Sequence, residues 1–204
     1  KYRNSGQTCV CANRIYVQRG VLETFSSKLA TATAALKVGN GAQEGVNIGP
    51  MIDAAGLEKV EDHVQDAVSQ GARILTGGHR SNEGGNFYEP TVLIDVKPGM
   101  KILNEETFGP VAPIIAFDTV DEAITLANDT EFGLAGYFYS RDLSRVWKVA
   151  EGLECGMVGI NTGLISIAEA PFGGVKSSGL GREGSKYGIE EFLEIKYLCM
   201  SVED

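Results

Sequence analysis

Short apolar runs of strand length alternate with segments of helical period along almost the whole chain, and few architectures accept that alternation. It calls for an α/β fold in which helices cover a largely parallel sheet. Strand-like runs fall at residues 14–17, 73–76, 90–96, 113–117, 136–139 and 157–160. Helical segments fall near 21–36, 54–71, 121–128 and 143–153. In the second of these, Leu57, Val60, Val64, Ala67 and Val68 share one face, which should look into a core. After residue 160 the pattern lapses into a long glycine-punctuated stretch, 161–188, and loops of that length are often functional. Residues 192–199 alternate again like a strand and follow the apparent domain. Such a segment either pairs with the sheet edge of another chain or closes this sheet.

With 204 residues and 43% apolar side chains, the chain can bury a real core. A formal charge of −9 without any basic cluster disfavours a nucleic-acid partner. No run approaches the ~20 apolar residues needed to cross a bilayer, and no signal-like pattern opens the chain. A cytoplasmic location away from membranes is therefore expected. Cysteines at 9, 11, 155 and 199 are too few for a disulfide scaffold and suit free thiols in a reducing compartment. The chain starts at Lys1 with its most reactive-looking segment in the first dozen residues, so we expect a piece of a longer protein.

That segment is Asn4-Ser5-Gly6-Gln7-Thr8-Cys9-Val10-Cys11. A cysteine after a glycine-containing turn can present its sulfur beside exposed backbone N–H groups, which favour a thiolate and can hold a developing oxyanion. Taken alone, a structural cysteine is the commoner outcome. A metal site is disfavoured, because the other cysteines are isolated and neither histidine is near in sequence. His63 falls mid-helix and His79 in a polar turn, so a Cys–His hydrolase is disfavoured as well.

Gly179-Leu180-Gly181-Arg182-Glu183-Gly184 matches the dinucleotide pattern G-x-G-x-x-G, but no strand is expected before it, so we read it as a coincidence. Glu105-Glu106-Thr107-Phe108-Gly109-Pro110 sets a carboxylate that could take ribose hydroxyls near an aromatic that could pack on a flat ring. Arg3 could grip a carboxylate and Ser166 could add a donor. Singly, each of these is as well explained by a solvated surface.

In combination, Gly6-Gln7-Thr8-Cys9, Glu105-Glu106-Thr107-Phe108-Gly109-Pro110 and Pro171-Phe172-Gly173-Gly174 resemble the aldehyde dehydrogenase superfamily in type and order. The resemblance runs from Lys1 to about Met200. It narrows to the succinate-semialdehyde dehydrogenases through Thr8-Cys9-Val10-Cys11-Ala12-Asn13, Gly136-Tyr137-Phe138-Tyr139-Ser140 and the stretch from Gly179 to Gly188.

The resemblance implies a catalytic domain at 1–191, an open, largely parallel sheet with helices on both faces. It also implies an oligomerisation strand and tail at 192–204, and a cofactor-binding domain outside this chain. It makes Cys9 the nucleophile, with Glu106 and Phe108 toward NAD or NADP and Arg3 and Ser166 toward the distal carboxylate of a small aldehyde. Cys11 becomes a possible redox partner of Cys9, and no metal is implied. The second oxyanion donor and the general base would lie upstream. The whole protein would be a homo-oligomer, a dimer or tetramer, oxidising succinate semialdehyde, while the fragment alone should be inactive. Glutarate semialdehyde is the nearest alternative substrate, and a non-catalytic oligomerisation domain or a slow thiol esterase is the competing reading.

Overall fold

The computed structural model describes residues 1–202, and the last two residues of the expected tail lie outside them. Two compact units are present. The first comprises Lys1–Thr130 and Arg141–Leu153, the second Glu131–Ser140 and the chain from Glu154 onward.

In the first unit, β1 (Ile15–Gln18), β2 (Arg73–Thr76), β3 (Thr91–Ile94) and β4 (Val111–Phe117) form one sheet in the order β1-β4-β3-β2. β4 runs parallel to both β1 and β3, and only β2 is antiparallel. Because side chains alternate across a strand, the sheet carries two apolar faces. Val17, Val92 and Ile114 form one cluster, against which Leu22 and Leu29 of α1 (Leu22–Ala34) pack. Leu93, Val111 and Ile115 look the other way, onto Leu57, Val60, Val64 and Ala67 of α2 (Ala54–Ser69). Helices on both faces of a mostly parallel sheet are what the alternating sequence requires.

Helix α2 begins where Asp53 accepts the Gly56 N–H at 2.7 Å, a side-chain N-cap. Its apolar face is the one read from the sequence, except that Val68 is exposed and His63 takes a place on the buried side. A further short helix, α3 (Lys101–Asn104), was not anticipated; it is one turn long and too brief to show a period. Helix α4 (Val120–Asn128) starts with a reciprocal capping box between Thr119 and Glu122. At its other end the Arg14 guanidinium donates to the carbonyls of Leu126, Ala127 and Asp129 at 3.1, 2.9 and 3.2 Å. Helix α5 (Leu143–Gly152) is capped by Asp142 and pairs with α4 through Lys148 and Asp121.

The second unit holds two small ladders. β5 (Phe132–Gly133) pairs antiparallel with β8 (Val175–Lys176), and β6 (Ala135–Phe138) pairs parallel with β7 (Met157–Ile160). β6 and β7 leave toward a turn where Asn161 exchanges two 2.8 Å bonds with the Ser140 backbone. Residues 161–188 are mostly turns, as expected, but β8 lies inside them. Described residues from Leu193 onward form no strand with this chain's own sheets, so the option that they close the same sheet is not realised. Their apolar side chains are bare, with Ile195 fully exposed. Among the described residues, no helix is long and apolar enough to cross a membrane.

Candidate active site

Cys9 is exposed at the tip of a turn closed by the Cys11 N–H on the Thr8 carbonyl at 2.9 Å. The segment leading into that turn is held unusually firmly. Asn4, Ser5 and Gly6 all take left-handed backbone conformations, with φ of 51°, 57° and 76°. Such conformations cost energy outside glycine and persist only where the surroundings fix them. Here the surroundings do. The buried Ser5 hydroxyl donates to the Gly49 carbonyl at 2.8 Å. Gln7 accepts the Ile52 N–H at 2.8 Å and donates to the Pro50 carbonyl at 3.2 Å. Tyr2, whose burial pushes its phenol up to about 12, donates to the Thr91 carbonyl at 2.8 Å, tying the arm to β3.

Gly6 cannot carry a side chain, since a β-carbon there would lie 2.0 Å from the Gly109 carbonyl oxygen. That contact joins the cysteine arm to the loop 105–110. A β-carbon on Gly109 would in turn lie 2.3 Å from Val60 Cγ2, so α2 backs the loop. Within the loop, Thr107 and Gly109 are buried while Glu106 and Phe108 are exposed. Phe108 has φ 49°, so the chain turns sharply at the aromatic.

His63, fully buried, meets Thr107 Oγ1 through Nδ1 at 3.1 Å and Glu105 Oε2 through Nε2 at 3.2 Å. Burial holds its pKa below the usual histidine range, against the opposing pull of the Glu105 carboxylate. Sequence reasoning set His63 aside as a mid-helix residue; its partners lie 42 and 44 positions away.

Lys1 lies on the same arm and is partly buried. Burial pushes its side-chain amine down to about 8, while Cys11 and Glu106 pull it upward. It donates to Asn13 Oδ1 at 3.2 Å, and Asn13 reaches the Glu105 carbonyl at 3.5 Å. Cys11 is a free thiol that makes a weak contact with the Arg3 carbonyl at 3.9 Å. Arg3 itself is exposed on the cysteine arm. Ser166 is exposed on the 161–170 loop of the second unit. The glycines at 179–184 follow the two-residue β8 and open no α-helix, so they build no βαβ phosphate loop. Among the described residues, no group of three His, Cys, Asp or Glu side chains could hold a metal ion.

The arrangement brings together an exposed cysteine on a pinned turn and a loop that presents a carboxylate and an aromatic, packed against each other. The chain belongs to the aldehyde dehydrogenase family, whose model matches residues 1–198. It is 63% identical over 202 residues to a glutarate-semialdehyde dehydrogenase of Pseudomonas putida, covering 99% of this chain and 42% of that protein. It is 58% identical over 202 residues to the NADP(+) succinate-semialdehyde dehydrogenase of Escherichia coli, with the same two coverages. The crystal structure of succinate-semialdehyde dehydrogenase from Burkholderia pseudomallei superposes with a TM-score of 0.97 at 59% identity, over 99% of this chain and 42% of that one. The chain thus spans about two-fifths of the length of these relatives.

Proposed function

We propose that the whole protein oxidises a short aldehyde with a carboxylate at its far end, succinate semialdehyde in the first instance, using NAD(P). The observation that carries this reading is the exposed Cys9 on a turn that Ser5, Gly6 and Gln7 hold against the Glu106–Phe108 loop. Glutarate semialdehyde is a second reading, favoured by the name of the 63% identical relative. The two substrates differ by one methylene, worth only about 1–3 kcal/mol in a pocket.

The exposed Glu106 carboxylate and the Phe108 ring suit a dinucleotide, the first accepting from ribose hydroxyls and the second packing beside a flat ring. Bound NAD(P)+ supplies a hydride acceptor. Cys9 thiolate adds to the aldehyde carbon, and the oxyanion so formed is met by the Cys9 backbone N–H and by a donor outside this chain. The C–H bond of this hemithioacetal breaks with loss of hydride, leaving a thioester on Cys9. Water, activated by a base also outside this chain, cleaves the C–S bond, releasing the acid and restoring the thiol. Arg3 and Ser166 would grip the distal carboxylate, Cys11 would be the redox partner of Cys9, and residues 192–204 would pair with a second copy's sheet edge in a homo-oligomer.

The test is a comparison of kcat/KM for succinate semialdehyde, glutarate semialdehyde and butanal in the full-length enzyme, before and after Arg3→Met. A preference for the acid-tailed aldehydes that Arg3→Met erases supports the reading. Equal use of butanal, unaffected by Arg3→Met, rejects it.

A further inference from the structure

We infer that His63 is the positioning residue of the cofactor loop: through Glu105 and Thr107 it fixes the stretch that presents Glu106 and Phe108. The inference rests on the dinucleotide-facing reading of that loop given above.

Three features of the geometry carry it. His63 bonds to residues on either side of Glu106, so neither neighbour of that carboxylate can swing without breaking a bond to the ring. One turn earlier on α2, Val60 fills the space beside Gly109, which fixes the far side of Phe108. Helix α2 thus grips the loop at positions 105, 107 and 109, while 106 and 108 stand out from it. A histidine that merely filled the core would have no reason to bond alternate residues of an exposed loop.

The ring's protonation state follows from its partners. An ionised carboxylate can only accept, so Nε2 must carry the proton and donate to Glu105. Neutral imidazole then leaves Nδ1 as an acceptor for the Thr107 hydroxyl. Both ring nitrogens are used and the buried hydroxyl is satisfied, which makes a single loop conformation the one of lowest energy. A loop held ready in this way spends less binding energy on ordering when a dinucleotide arrives.

The test measures binding rather than turnover. In the full-length enzyme, NAD(P)H is titrated by nucleotide fluorescence while the KM for aldehyde is recorded separately. His63→Leu removes both bonds, and the dinucleotide Kd should rise about tenfold with the aldehyde KM changing by less than about twofold. Thr107→Val removes only the Nδ1 bond and should weaken binding by about threefold. His63→Gln keeps an N–H that can reach Glu105 and should fall between His63→Leu and wild type. Unchanged dinucleotide binding in His63→Leu and Thr107→Val overturns the inference. So does an equal rise in dinucleotide Kd and aldehyde KM, which would mark a general structural role. Should His63→Leu fail to fold, Thr107→Val alone decides. A wild type that binds NAD(P)H but oxidises no semialdehyde sinks the proposed reaction, and the Kd comparison still decides the role of His63.

Discussion

Gly6 and Gly109 meet backbone to backbone, so close that a methyl group on Gly6 would sit 2.0 Å from the Gly109 carbonyl oxygen. The cysteine arm and the 105–110 loop are therefore packed directly against each other at this point, with no side chain between the two glycines. Gly6→Ala adds that methyl at φ 76°, where an L-residue is also strained. We expect a loss of about 3 kcal/mol in unfolding free energy by denaturant titration, a value set by steric overlap rather than propensity. A loss below about 1 kcal/mol would mean that the two loops separate easily.

Gln7 binds the arm to residues 50 and 52 by two hydrogen bonds of one amide. Gln7→Leu keeps the bulk and deletes the bonds, leaving the Ile52 N–H without its 2.8 Å partner. The expected cost is about 1–2 kcal/mol, with Cys9 alkylation by iodoacetamide less selective over Cys155 than in wild type. Mapping the labelled peptides by mass spectrometry checks the second part.

The N-cap of α2 holds the helix that carries both Val60 and His63. Asp53→Ala removes the acceptor for the Gly56 N–H and should cost about 1 kcal/mol, read as a lower denaturation midpoint.

His63 should make stability depend on pH. Its folded pKa lies below the ordinary 6.5, because burial outweighs the favourable charge of Glu105 and Asp62, while Lys59 acts in the same direction as burial. Below 6.5 the unfolded chain therefore binds more protons than the folded one, and stability falls with falling pH. The stability it confers is complete above pH 6.5 and disappears as pH drops through the folded pKa. Denaturation at several pH values in that window should show a slope in wild type that is reduced in His63→Gln. Parallel slopes would assign the effect to other groups.

The main architecture was legible because its signals are local. Strands 73–76 and 157–160 fall on the expected residues, and the apolar face of α2 is visible in its period. One boundary differs. The expected strand began at Pro113, a residue that cannot donate to a ladder. β4 begins at Val111 instead, and Pro113 precedes the point where pairing with β1 starts at Ile114, so on that side no bond is lost. The chemistry was legible only in part. Cys9, Glu106 and Phe108 stand in recognisable motifs, whereas His63 looks like any mid-helix residue until the fold brings Glu105 and Thr107 to it. Nothing in the spacing of Gly6 and Gly109 announces their contact, because the two loops meet only in the folded chain.

The central claim is that Cys9 carries the acyl group during turnover. The full-length enzyme, mixed with succinate semialdehyde and NAD(P)+ and quenched in acid, should yield a peptide acylated on Cys9 by mass spectrometry, and Cys9→Ala should show neither acylation nor NAD(P)H formation. Acylation on Cys11, or continued NAD(P)H formation by Cys9→Ala, would contradict the account.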